Sequence, residues 1–540
     1  MAGISYSGKQ VLIVDDVADM RTALRGQVAS LGLEKISVAG TVRDALERIK
    51  EQRFDIILCD YYLGGNTDGQ QLLEYLRTSR IISRATLFVM VTAESGYESV
   101  ITAAECLPDD YLLKPFTADT LRARFDRLLE KKERLARIDR LQDQGRWTDI
   151  IAACDEIMAA SDKYLIDAMR IKGNALIATG RHDEARQLYQ SAIALRPMPW
   201  ARLGLARALR GLGDTPAATE VLETLVRETP TFLSAYDVLG QIHMEDGAGD
   251  AALQVLDQAC NVSPNSLTRH RSIATIAEET GDLARVEKAL SLVVQKTRNS
   301  PLRNSSDYAR LGTALTELGE PARAVGLIDE AKLTFRDKTD SRLLAAVEAV
   351  AQERNGNAAA ARQALDRALE GGTGKLPEHV ALAVAKACLV HDMKDQATDI
   401  LTAVVQNNPD ARQVHARVSN VLKAHGGEEV AKRLIEKSVR QIIELNNTAV
   451  AKAKAGEFAL ASGMLTEAAA RLPDNLQIVA NAAYCLLLDI HHNGFDAERL
   501  KEAMALRQSL LERNASHPKL ADIADVLGKI RVKYGAGATP

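Results

Sequence analysis

Four short apolar runs near the amino terminus each end on residues able to do chemistry: VLIVDD on Asp15 and Asp16, IILCD on Asp60, FVMVTAE with Thr92, and YLLKPF with Lys114. Three carboxylates held together repel, which raises the pKa of at least one of them unless a cation neutralises the cluster. A hard divalent ion with oxygen ligands, Mg2+, meets that need. Lysine adds a point positive charge, and a threonine hydroxyl with nearby backbone N–H groups can hold phosphoryl oxygens. With the metal bound, Asp60 could act as a carboxylate nucleophile and form an aspartyl phosphate.

The elements that must position these groups are legible in the same stretch. Each run is rich in β-branched and aliphatic residues, and the intervening segments Met20–Leu31, Val42–Lys50, Gln70–Thr78 and Ser99–Cys106 have the spacing of amphipathic helices. Strand alternating with helix implies a parallel sheet covered on both faces, whose ligands gather outside the carboxyl ends of the strands at a topological switch point. A single aspartate at a strand end reads as a loop or helix cap. Chemistry at four matching strand ends does not.

Residues 9 to 129 resemble the receiver domain of two-component response regulators, closest in pattern to the single-domain chemotaxis type. The resemblance rests on D-D-x-x-x-M-R from Asp15 to Arg21, V-T-A-E from Val91 to Glu94 and K-P-F-T from Lys114 to Thr117. It implies a flavodoxin-like, five-stranded α/β fold with Asp60 as phosphoacceptor. By the same resemblance Asp15, Asp16, Asp60 and the Tyr62 carbonyl serve Mg2+, Thr92, Ala93 and Lys114 engage the phosphoryl group, Tyr111 is the switch aromatic, and the Lys114–Pro115 bond is cis. Two departures stand out. The acceptor loop reads YYLGGNTDG, with Gly64 where the family usually has proline and one extra residue before Asp68-Gly69, so a more mobile loop is expected. Leu107-Pro108 replaces the usual Gly-Ala before the fifth strand, which argues against a positive φ there.

At 540 residues the chain should hold several domains or one extended array. Aromatic residues are only 4% while alanine is abundant, which favours close-packed helices over an all-β protein. The whole net charge of -4 falls within residues 1–130, and a neutral remainder offers no field for nucleic acid or an anionic membrane. Cys59, Cys106, Cys154, Cys260, Cys388 and Cys485 are widely separated, without metal-ligand spacing, and read as small hydrophobes in a reducing compartment. The start MAGISYSGKQ has no signal-peptide core and no apolar run reaches membrane-spanning length, so the expected location is the cytoplasm, without membrane insertion.

Past residue 130 the chain repeats itself. Gly173, Gly180, Ala185, Tyr189, Ala192 and Pro197 return as Gly240, Gly247, Ala252, Leu256, Ala259 and Pro264, and again as Gly312, Gly319, Ala324, Ile328 and Ala331. These positions recur every 67 to 72 residues, two periods of about 34 residues, the period of tetratricopeptide repeats, which this segment resembles. The resemblance implies an all-α superhelix that binds proteins. Weaker units start near 131, 199, 267, 342, 378, 412 and 442, followed by an irregular helix pair from 476 to 514. The expected organisation is a receiver at 1–130, an array at 131–518, a capping helix at 519–534 and a disordered tail at 535–540.

Arg170, Asn174 and Arg207 fall on groove positions where some relatives clamp a peptide carboxylate, but the next units lack the remaining clamp residues, and a solvated helix face is the favoured reading. Arg210 has the same status. His491-His492 reads as a polar turn without a third ligand, and Trp147 and Trp200 as core. Between Thr117 and Gln144 there is neither Pro nor Gly, and apolar residues recur at Leu121, Phe125, Leu128, Leu135, Ile138 and Leu141 around a charged, exposed EKKER stretch. The last receiver helix should therefore run straight into the first repeat as a rigid strut.

These features point to a response regulator phosphorylated on Asp60 by a histidine kinase or phosphotransfer protein, with an unidentified protein partner for its array. It is not expected to be an enzyme in its own right, and a homodimer is compatible with this organisation. Two rivals are a transcription regulator with an atypical DNA-binding segment, which the neutral second half disfavours, and an enzyme with its site inside the array.

Overall fold

The computed structural model describes residues 6–64, 68–93, 108–160, 163–298, 300, 302–372, 376–514 and 517–535, with residues 78 and 424–426 as backbone only. The expected helix Ser99–Cys106, the Leu107 position and the tail beyond residue 535 lie outside them. The chain divides into two compact units, Met1–Arg303 and Asn304–Pro540.

The first unit opens with a parallel sheet of order β2-β1-β3-β4-β5, made of β1 (Gln10–Val14), β2 (Lys35–Ala39), β3 (Ile56–Asp60), β4 (Leu87–Thr92) and β5 (Asp110–Leu113). Alternation along the strands sends side chains to opposite faces. Leu12, Val14, Ile57, Cys59, Phe88 and Met90 pack with helices α2 (Val42–Glu51) and α3 (Gly69–Thr78). Val11, Ile13, Ile56, Leu58, Val89 and Val91 pack on the other face with α1 (Ala18–Ser30) and with Leu121, Phe125 and Leu128. Because β1 lies between β2 and β3, the chain changes direction across the sheet beside β1, and the loops after β1 and β3 open side by side there.

The strut is a single helix, Ala118–Asp143, of 26 residues, started by Thr117, whose hydroxyl accepts from the Thr120 amide at 3.2 Å. Its first half completes the sheet core; Leu135, Ile138 and Leu141 belong to the core of the first repeats. The charged middle is not simply exposed. Lys131 Nζ reaches Asp167 at 2.6 Å and Lys132 Nζ reaches Asp109 at 2.8 Å, so these side chains lay their stems along the protein. Helices then follow in antiparallel pairs through Leu267–Thr280 and Leu283–Thr297, and buried Ala168, Ala175, Ala185, Ala192, Ala201 and Ala208 allow the close approach that the repeat spacing demands.

The second unit continues in helices from Ser305–Glu317 to Lys519–Tyr534. The boundary expected near 442 is absent: Arg412–Lys454 breaks only at Gly427, and the chain from 428 to 454 has no Gly or Pro to stop a helix. His491 and His492 are not in a turn but in the last turn of the Leu476–Asn493 helix, where His492 stacks on Phe458 at 4.5 Å. The final helix buries Ile523, Val526, Leu527 and Ile530 against its neighbours and leaves its other face to solvent. Among the described residues no helix is long and apolar enough to cross a membrane.

Candidate functional site

Three of the four strand ends picked out by the sequence meet in one cluster: Asp15 and Asp16 after β1, Asp60 at the end of β3 and Lys114 after β5. Asp15 is fully buried; its Oδ1 accepts from the Val17 amide at 2.9 Å and its Oδ2 from Lys114 Nζ at 2.9 Å. The same ammonium donates to Asp60 Oδ2 at 2.7 Å, and the Tyr62 amide donates to Asp60 Oδ1 at 3.3 Å. Asp16 is exposed at the rim, and ligand oxygens of Asp15, Asp16 and Asp60 lie within 4.8 Å of one another. Three carboxylates against one ammonium leave an excess of negative charge, and every candidate donor is oxygen, so the set fits Mg2+.

Burial pushes the Asp60 carboxyl above its usual range; Lys114 opposes the shift and the neighbouring Asp15 adds to it. Burial alone would lower the Lys114 ammonium, but its hydrogen bonds to Asp60 and Asp15 outweigh that and leave it raised.

Thr92 is buried at the end of β4, and the Lys114 amide donates to its carbonyl at 2.8 Å; Ala93 follows directly and is exposed. Tyr111 pairs in register with Met90, and its hydroxyl is buried with no hydrogen-bond partner among the described residues, a position in which burial raises the phenol above its ordinary range. The Lys114–Pro115 peptide is cis. Tyr62 is 50% exposed and sets its ring edge-on to Tyr61.

Two glycines shape the pocket. Gly64 has φ +58°, which proline cannot adopt, and a Cβ there would meet Asp16 Oδ2 at 2.6 Å. Residues 65–67 of the acceptor loop lie outside the described set. Gly69 begins α3 so close to β3 that a Cβ would sit 2.3 Å from the Asp60 carbonyl oxygen. Neither role is legible in the sequence, although Asp68 and Gln71 have the spacing of a capping box, which the structure contains.

The groove residues do not form an open clamp. Asn174 Oδ1 accepts from the Tyr189 hydroxyl at 3.1 Å, and Tyr189 is buried over Gly173 and Gly204. Arg170 pairs loosely with Asp167 at 3.9 Å, and Arg207 and Arg170 lie within electrostatic reach of Tyr189. Arg210 is bound to Glu245 at 2.6 Å. The Asn174 amide is thus part of the packing between the two helices of one repeat.

The response regulator receiver domain matches residues 11–126, and tetratricopeptide repeats match residues 135–197 and 176–242. Chemotaxis protein CheY-3 of Vibrio cholerae is 31% identical over 131 residues, which make up 24% of this chain and 99% of that protein. Chemotaxis protein CheY of Pseudomonas aeruginosa is 30% identical over 122 residues, covering 23% of this chain and 97% of the relative. The solved chemotaxis response regulator CheY4 of Vibrio cholerae is 26% identical, covering 22% of this chain and 98% of its own, with a TM-score of 0.21.

Proposed function

Since the chain belongs to the two-component response regulators, with a receiver domain at its amino-terminal end and tetratricopeptide repeats after it, we propose that it is phosphorylated on Asp60 and signals by protein binding through its repeats. The observation that carries this reading is the Lys114 ammonium bridging Asp15 and Asp60 at 2.9 and 2.7 Å beside a third carboxylate.

The phosphoryl group comes from a phosphohistidine of a kinase or phosphotransfer protein. An Asp60 carboxylate oxygen forms the new O–P bond while the N–P bond breaks and the imidazole leaves. Lys114 balances the charge of Asp60 before transfer and of the phosphoryl oxygens after it. Thr92 and the Ala93 amide are the remaining donors on that side, and Tyr111 is the aromatic group that responds. Asp15, Asp16, Asp60 and the Tyr62 carbonyl would hold Mg2+, which when bound neutralises charge on the transferring group. Hydrolysis of the aspartyl phosphate returns the carboxylate, so the chemistry is confined to phosphotransfer and autodephosphorylation.

The receiver is taken as residues 1–130, the array as 131–518 and the cap as 519–534. The protein acts in the cytoplasm, and the array takes a protein partner. Beryllium fluoride with Mg2+, a phosphoryl mimic, should bind the wild-type chain and fail on Asp60→Ala. Equal binding to both proteins contradicts the assignment.

A further inference from the structure

The helices that leave the receiver at Asp143 return to it. Within the first unit, the loop Pro264–Ser266 and the helix Leu267–Thr280 meet the start of α3. Gln71 is the centre of this contact. It is 4% exposed, its Oε1 accepts from the Asp68 amide at 3.2 Å, and its Nε2 donates to the Asn265 carbonyl at 3.3 Å. Turning the amide over would break both bonds, so one orientation serves the helix cap and the repeat together. Thr268 is hydrogen-bonded to Glu74 one turn further on, and Lys296 of the neighbouring repeat helix acts electrostatically on Asp68.

The repeat side of this contact is firmly built. Arg269 is buried and holds Asp237 with two bonds of 2.9 and 3.1 Å, and the His270 ring lies 2.8 Å from the Pro264 carbonyl. The receiver side is tied to the acceptor by backbone. The Gly69 amide donates to the Tyr61 carbonyl at 2.7 Å, and no atom fits between Gly69 and the Asp60 carbonyl.

We propose that the Asn265–Thr268 edge of the repeat array is a binding surface for the receiver's own α3, and that it reads the state of Asp60 directly through Gln71. The inference rests on Asp60 being the phosphoacceptor. A displacement of the β3 end is passed to the start of α3, because the two segments are in contact without slack. The Gln71–Asn265 bond is at the long end of the hydrogen-bond range and is lost by small displacements. Phosphorylation therefore loosens the contact and frees this edge of the array for other partners.

Hydrogen exchange on the full chain tests this and needs no identified partner. Gln71→Ala, with no mimic present, should speed exchange in residues 265–280 by about tenfold or more, since a local contact governs opening there. Unchanged exchange in that variant overturns the contact. Beryllium fluoride with Mg2+ should protect the Asp60 loop of the wild-type chain and, in the same sample, speed exchange in residues 265–280. Protection at the loop with no change at 265–280 overturns the coupling while leaving Asp60 as acceptor. Absence of any mimic-dependent change at the Asp60 loop removes the reading on which the inference stands. A Gln71→Glu chain, which keeps the side-chain length but cannot donate to Asn265, serves as the second variant and should exchange like Gln71→Ala.

Discussion

Gly69 and Asp60 are in such close backbone contact that a single added carbon at residue 69 would lie 2.3 Å from the Asp60 carbonyl oxygen, 3.0 Å from Met90 Sδ and 3.1 Å from Cys59 Sγ. The acceptor strand and the start of α3 are therefore one mechanical piece. Gly69→Ala must push them apart, with a cost of roughly 1–3 kcal/mol for overpacking. Denaturant unfolding should show that loss, and phosphoryl labelling of Asp60 should slow in parallel. Wild-type stability in the variant would mean that the contact is softer than the geometry indicates.

Lys114 is the only ammonium bonded to both Asp15 and Asp60 among the described residues. Lys114→Met leaves those carboxylates facing each other, at a cost on the order of 2 kcal/mol for charged hydrogen bonds lost. Thermal unfolding without divalent ions should occur at lower temperature than in the wild type. Mg2+ should recover more stability in the variant than in the wild type, because the ion then supplies the missing positive charge. Equal Mg2+ shifts in the two proteins would contradict this.

Asp68 gives a pH signature. Burial raises its carboxyl to about 6, with the Gln71 amide and Lys296 opposing and Glu74 adding to the rise. A carboxyl raised in the folded state favours folding below its unfolded pKa, near 4, and that contribution is lost as the pH rises through about 6. Asn also caps helices well, so Asp68→Asn keeps the cap and removes the titration. The Tm difference, variant minus wild type, should grow between about pH 4.5 and pH 7.5, roughly one and a half units either side of the folded-state value. A pH-independent difference would show that the Asp68 carboxyl is not perturbed.

A Gly-Gly insertion between Lys132 and Glu133 turns everything beyond it by about 200°. Lys131 and the rest of the first receiver half stay in place, while Asp143 loses its 2.6 Å bond to the Ser83 hydroxyl. Labelling of Asp60 should stay within about twofold of wild type, since the sheet and its pocket are upstream. Exchange protection at residues 83–84 and 265–280 should fall. Retained protection at both places would show that the strut does not set the return of the repeats to α3.

The pocket was legible because a parallel sheet forces strand ends into one place, so Asp15, Asp16, Asp60, Thr92 and Lys114 announced themselves by position and type together. The strut was legible from the absence of Pro and Gly between Thr117 and Gln144. What escaped the sequence depends on distant partners. Gln71 reads as an ordinary capping-box glutamine until Asn265, 194 residues away, takes its second bond. Asp139 lies on a charged stretch of the strut and yet is buried, with Oδ2 lacking a partner among the described residues, because Arg84 and Asp109 of the loops flanking β4 come close to that face. Asn174 has the type and spacing of a clamp residue, but its partner Tyr189 lies on the next helix, and pairing between helices is invisible to periodicity.

The most direct measurement is peptide mapping of the full chain after exposure to acetyl phosphate and Mg2+. A phosphoryl group should be found on the peptide containing Asp60, lost on hydrolysis, dependent on Mg2+ and absent from Asp60→Ala. Phosphoryl modification of equal extent in Asp60→Ala, or on a peptide without Asp60 in the wild type, would contradict the assignment of this pocket as the site where the signal enters.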